Sequence, residues 1–136
     1  MPSPCGEDRL FNPDPGAYLP HRYPFLLLDR VIELEPGVRA VALTTVSASS
    51  SFPQVLLIES VAQLAGIATI QQGAEGGFLA AIDQAEFSGM PLAGDVLAVT
   101  ARVIKAFGRL FLVEGEVACG KSTLLRVQLM LGGGRL

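Results

Sequence analysis

Histidine occurs once in this chain, as His21, and tryptophan not at all; cysteine is confined to Cys5 and Cys119. Ligands so few and so far apart make no metal cluster, and no metal or other cofactor is expected. A pair of cysteines is also too little for a disulfide framework, which points to a reduced, cytoplasmic setting. Charge is scarce as well: 17% of the residues are Asp, Glu, Lys or Arg, and the formal net charge is -3. Nucleic-acid binders carry a basic face, and this composition offers none, so no nucleic acid is expected as a partner. No apolar run is long enough for a membrane span. The opening MPSPCGEDRLFNPDPGAYLP has neither the cationic nor the apolar segment of a secretory signal.

What remains is apolar: half of the 136 residues, enough for one core in one domain over 1–136, with 1–16 as a loose lead-in rich in Pro, Gly and acids. From Phe25, FLLLDRVIELEPG reads as a strand closed by the turn Glu35-Pro36-Gly37, and VRAVALTTVSAS as its β-branched partner. The period then changes. Ser51-Phe52-Pro53-Gln54 has the form of a capping box with proline in the first turn. QVLLIESVAQLAGIATIQQG comes next as a helix of about five turns, up to a glycine stop at Gly73. Val55, Ile58, Ala62 and Ala65 form one apolar stripe, and Leu56, Leu57, Val61, Leu64 and Ile67 cover most of the rest. A helix apolar nearly all round is expected to be buried nearly all round, here inside a sheet.

The second half supplies that sheet. GFLAAIDQAEF, DVLAVTARVIKAF, RLFLVEGEVAC and STLLRVQLML are strand-like, the last two with clear alternation. One stretch competes with this reading, since Gly115–Thr123, GEVACGKST, matches the phosphate-binding pattern G-x-x-x-x-G-K-[ST]. A P-loop needs a strand before the first glycine and a helix after the lysine. Here Gly115 falls in mid-strand on the apolar face, where a glycine admits a close helix, and the residues after Ser122 alternate with period two. Gly120-Lys121 is therefore expected to be a hairpin turn.

Candidates for chemistry are few. Glu59 and Gln63 are four residues apart on one helix face, and no Lys or Arg lies between Arg39 and Arg102. A carboxylate in apolar surroundings without a cation has its pKa raised, which suits a general acid; the structural alternative is a place at a frayed edge or a hydrogen bond to a backbone group across a dimer interface. His21, in LPHRYPFLLLDR, is either a base or a satisfied turn residue. Asp29-Arg30 reads as a strand end, Asp95 as the residue that fixes the turn after Gly94, and Arg22, Arg102, Lys105 and Arg109 as solvated cations or contacts for an acidic partner.

Taken together, LPHRYPFLLLDRV, VLLIESVAQLAGI, FLAAIDQAEFSGMPLAGD and GKSTLLRVQLML, in this order over about Leu19 to Leu131, resemble the (3R)-3-hydroxyacyl-acyl carrier protein dehydratases of FabA/FabZ type. The resemblance implies an α+β hot-dog fold, an antiparallel β-sheet wrapped around one long central helix, in a dimer or higher homo-oligomer joined edge to edge. It implies removal of water from a 3-hydroxyacyl thioester on acyl carrier protein. By the same resemblance Glu59 falls on the catalytic helix glutamate, Gln63 on the helix glutamine, and Tyr23 on a tyrosine that gates the acyl tunnel in some members. The helix start, with Ser51, Phe52 and Val55, is where substrate contacts are implied. The family's histidine stands in a G-H-F-P-G loop before the helix; here that loop is absent and Ser51 precedes Phe52-Pro53, and Ala93 replaces a proline before Gly94-Asp95. Three functions stay open on these residues: a dehydratase in which His21 replaces the loop histidine beside Glu59, an acyl or acyl-carrier binding protein or hetero-oligomer subunit without turnover, and a thioesterase of the same fold.

Overall fold

The computed structural model describes residues 11–19, 26–47, 53–69 and 78–132. In chain order these form β1 (Arg30–Glu35), β2 (Arg39–Thr45), the helix α1 (Gln54–Thr69), β3 (Phe78–Phe87), β4 (Val96–Phe107), β5 (Leu110–Cys119) and β6 (Ser122–Gly132). The six strands make one antiparallel sheet in the order β1-β2-β4-β5-β6-β3. A single helix packed on one face of such a sheet is the expected hot-dog layout.

Alternation decides which face meets the helix. Ala40, Ala42, Leu97, Val99, Ala101, Val113, Val117, Leu125, Val127, Leu129 and Leu131 are all buried, every second residue of their strands, and they close on Leu57, Val61, Leu64, Ala65, Ile67 and Ala68 of α1. Small residues in the middle of the sheet let the helix settle low. At Gly115 an added Cβ would stand 2.2 Å from Val61 Cγ1, so the helix approaches here as only a glycine permits. Gly120, with φ of 59°, begins the tight turn after which Ser122 pairs with Cys119. The nucleotide-binding pattern is thus a strand, a hairpin turn and a second strand.

Two expectations change at their edges. The strand expected from Phe25 begins only at Arg30, because side chains hold the preceding backbone: Gln63 Oε1 accepts from Leu27 N at 2.9 Å, and Thr44 Oγ1 donates to Leu27 O at 2.5 Å. Burial of the helix also stops short of its first turn. Val55 is 63% exposed and Leu56, Glu59 and Gly66 are half-buried, whereas Leu57, Ile58, residues 60–65 and 67–69 are buried. The sheet covers the helix from its second turn onward, and the stripe begun by Val55 meets it only at Ile58. The far end is tied down as well, by Gly37 N donating to Ala68 O at 2.6 Å. The described helix ends at Thr69, so the stop expected at Gly73 lies outside the described residues, as does Ser51 of the capping box.

Ahead of β1, residues 11–19 form a small clasp. Tyr18 Oη donates to Asn12 O at 2.8 Å, Asp14 Oδ1 accepts from Gly16 N at 2.9 Å, and Pro13 O accepts from Val31 N at 2.8 Å. Leu19 joins the core. Among the described residues no helix is long and apolar enough to cross a membrane.

Candidate functional site

Glu59 stands in the second turn of α1, half-buried, between the buried Ile58 and Ser60. Its neighbours on the helix offer it no competing charge; Ser60 turns its hydroxyl back on the helix, donating to Leu57 O at 2.7 Å. One turn further on, Gln63 is buried to 3% exposure and its amide oxygen is bonded to Leu27 N. Glu59 and Gln63 thus share a face, as their spacing requires, but differ in surroundings: the carboxyl keeps a route to solvent, while the amide lies in the core against the segment that precedes β1.

That segment is held from two elements, α1 and β2. Besides the two bonds to Leu27, Asp29 N donates to Leu43 O at 2.9 Å, and Asp29 Oδ2 accepts from Thr45 N at 2.7 Å. Asp29, expected as a strand end, serves as the anchor of that end. His21 and Tyr23 stand a few residues upstream; they and Ser51 and Phe52 lie outside the described residues.

At the helix start the loop between β3 and β4 comes close. Gln54 Nε2 donates to Gly89 O at 3.0 Å, which fixes the loop against the first turn of α1. Val55 at 63%, Met90 at 59% and Leu92 at 70% exposure give this end of the molecule an apolar rim. Asp95 fixes the turn as expected, with Oδ2 accepting from Leu92 N at 2.8 Å, and Gly94 adopts φ of 91°.

A hollow of about 560 Å³ lies elsewhere, on the sheet face turned away from the helix. Its walls are polar, with Glu86, Arg126, Glu116, Glu114, Arg102 and Thr100 coming from four adjacent strands. It includes neither Glu59 nor Gln63, and its mixed charges alternate between strand neighbours in register, Glu86 beside Arg126 beside Glu116, and Glu114 beside Arg102. Such a surface hydrates well and does not suit an acyl chain, whose binding sites are mostly apolar.

Sequence reasoning missed Thr44 and the bond from Gln54 to Gly89. Thr44 had a signal: it shares the inward parity of Ala40 and Ala42 on β2, so its hydroxyl had to be buried and needed a partner. The Gln54 bond spans 35 positions and had none.

No protein-family model matches the chain. Curated relatives do. It is 41% identical over 109 residues to the 3-hydroxyacyl-[acyl-carrier-protein] dehydratase FabZ of Ruminiclostridium cellulolyticum, covering 70% of this chain and 77% of that one. With the enzyme of the same name from Desulforamulus reducens it shares 34% identity over 131 residues, 86% of this chain and 92% of the relative. For Chromobacterium violaceum the values are 41% over 123 residues, 74% and 82%. Among solved structures, the dehydratase heterocomplex ApeI:P from Xenorhabdus doucetiae superposes with a TM-score of 0.78 at 21% identity, over 92% of this chain and 93% of that chain. The E. coli PaaI protein from the phenylacetic acid degradation operon gives 0.65 at 21% identity, over 75% and 76%. At these identities the two structures bear on the fold alone.

Proposed function

The chain belongs to the FabZ family of 3-hydroxyacyl-[acyl-carrier-protein] dehydratases, and on that premise we propose that it removes water from a 3-hydroxyacyl thioester carried on acyl carrier protein, with Glu59 and His21 as its acid–base pair. The observation that carries the reading is the place of Glu59: the one charged side chain of α1, half-buried on a helix that is mostly buried, one turn from the exposed helix start and its apolar rim. In the elimination, His21 takes a proton from the carbon next to the thioester carbonyl. The electron pair of that C–H bond becomes the new C=C bond as the C–OH bond breaks, and the Glu59 carboxyl gives its proton to the departing hydroxyl, so that water leaves. Histidine, the one side chain whose unperturbed pKa lies close to neutral pH, suits the first role. Val55, Ser51 and Phe52 at the helix start and Tyr23 upstream of β1 fall, in this reading, along the acyl chain.

A dimer belongs to the same proposal. Two strands end the sheet, β1 and β3. The first is short and guarded: six residues, with Arg39 of the neighbouring strand bound to Glu33 and Glu35, whose hydrogen bonds, Glu33 first, hold its guanidinium above the usual value. β3 runs for ten residues, FLAAIDQAEF, with no Lys, Arg or Pro, and Ala81–Phe87 are all exposed. Asp83, Glu86 and two register shifts interrupt this edge, but it is longer than that of β1 and, among the described residues, carries no bound ion pair like that of Arg39, and a second copy of β3 fits it. The cytoplasm is the compartment this reading favours, with Cys119 a free thiol on β5.

The experiment is a direct assay on 3-hydroxyacyl-carrier-protein, following enoyl-thioester absorbance, with His21→Ala and Glu59→Gln beside the parent. Enoyl product from the parent and none from either folded variant is expected. Activity that survives His21→Ala removes the histidine from the mechanism. A parent that releases free thiol instead of enoyl product is a thioesterase, and one that is stabilised by the substrate without turnover is a binding protein.

A further inference from the structure

Two of the four buried polar side chains among the described residues converge on the backbone of one residue. Gln63 and Thr44 are each only 3% exposed, they come from different elements, α1 and β2, and both are bonded to the backbone of Leu27. The amide oxygen of Gln63 takes the Leu27 N–H at 2.9 Å; the Thr44 hydroxyl gives its hydrogen to the Leu27 carbonyl at 2.5 Å. Buried backbone groups are ordinarily satisfied by a neighbouring strand. Here the ladder between β1 and β2 runs only from Arg30 and Leu43, and side chains replace it at Leu27. A strand in this place could have bonded with any residues; this arrangement demands a hydroxyl at position 44 and an acceptor at position 63.

Its location gives the arrangement a use. Gln63 is one helical turn, about 5.4 Å of rise, beyond Glu59. The clamp therefore ties the helix to β2, through the backbone of Leu27, one turn from the glutamate. We infer that Gln63 and Thr44 are positioning residues for the dehydration: through the backbone of Leu27 they tie the catalytic helix to β2 and thereby fix the place of Glu59 one turn away, and Gln63 acts through this bond and not as a contact to substrate. The inference rests on the dehydratase reading proposed for Glu59 and His21.

Thr44→Val tests it with little change of shape, since it removes the donor and keeps the branched side chain. Thr44→Ser keeps the hydroxyl, and Gln63→Met removes the acceptor that holds the N–H of the same residue. Each is assayed for kcat and KM on 3-hydroxyacyl-carrier-protein, with thermal melting to count folded enzyme. Misplacement of reacting groups by a fraction of an ångström to an ångström lowers kcat by about 10- to 100-fold. Such a fall in both Thr44→Val and Gln63→Met, with KM held and kcat restored in Thr44→Ser, is the expected result. A lower melting temperature with kcat per folded molecule unchanged makes the clamp merely structural and overturns the inference. So does a raised KM in Gln63→Met with Thr44→Val silent, which makes Gln63 a substrate contact. A parent without turnover is a different failure: it condemns the dehydratase reading first, visible before any variant is made, and the inference with it.

Discussion

Val61 of the helix fills the space into which a side chain at position 115 would point, so that the Cβ of anything but Gly115 would stand 2.2 Å from Val61 Cγ1 and 3.2 Å from its Cβ. The height of the helix above the sheet is set at this contact, and with it the depth at which Glu59, two positions earlier on the helix, meets the surface.

Gly115→Ala is accordingly expected to destabilise by overpacking, about 1–3 kcal/mol, and to lower Tm by about 4–12 °C. Combined with Val61→Ala, the loss at Gly115 should largely disappear, because the methyl group then has room. Thermal melting of the two single variants and the double variant measures that coupling; additive losses would mean that the helix shifts as a body instead.

The turn Leu92–Asp95 makes the opposite kind of prediction. Asp95 N donates to Leu92 O at 3.0 Å, and Gly94 has φ of 91°, which together define a type II turn with Ala93 at its second position. Proline suits that position. Ala93→Pro should stabilise by about 0.4–1 kcal/mol through the unfolded chain, whereas Asp95→Ala, which removes the acceptor for Leu92 N, should cost about 1 kcal/mol. Chemical denaturation midpoints decide both signs.

These contacts also mark how far sequence alone reached. The strands β3 to β6 and the start of α1 were legible nearly to the residue, because alternation of period two and the Pro53-Gln54 start are local signals. Gly115 was legible as a close approach since it stood on the apolar face of a strand. The beginning of β1 was not: the run FLLLD looks like any strand, and its exclusion depends on Gln63 and Thr44, which are 36 and 17 positions away. Nor was the exposure of Val55 legible, since the stripe gives the direction of a side chain but not where the sheet beneath it ends. Of the candidate site, Glu59, Gln63 and Val55 stand on the described helix, while His21, Tyr23, Ser51 and Phe52 fall outside the described residues.

Carrier recognition should depend on the hairpin between β4 and β5. From Val96 to Val113 the chain has no carboxylate and carries Arg102, Lys105 and Arg109. Lys105 Nζ lies 5.6 Å from the Phe107 ring centroid, and Ile104, Phe107 and Leu110 are exposed around it. Lys105→Glu with Arg109→Glu is expected to raise KM for a substrate on an acidic carrier protein about tenfold, and to leave KM for a small-molecule thioester unchanged. Equal effects on both substrates would place this hairpin outside carrier recognition.

Pairing through β3 predicts a change of mass. Ile82 is 47% exposed on that strand, and Ile82→Lys replaces buried apolar area in a dimer with two like charges near its axis. Dimer dissociation should rise by about 10- to 100-fold, read by analytical ultracentrifugation over a dilution series. A parent that sediments as a monomer throughout would dismiss β3 as an interface.

The long exposed edge of β3 has a consequence for the young protein in the cell. Its hydrogen-bonding groups are the same in every polypeptide, so a newly released chain meets partners by backbone chemistry before side chains discriminate among them. If a second copy pairs with β3 as proposed, rapid encounter with a sibling chain is a quality-control step: abundance of the protein would protect each copy, scarcity would leave the strand open to unrelated edges, and gene dosage would become a determinant of solubility.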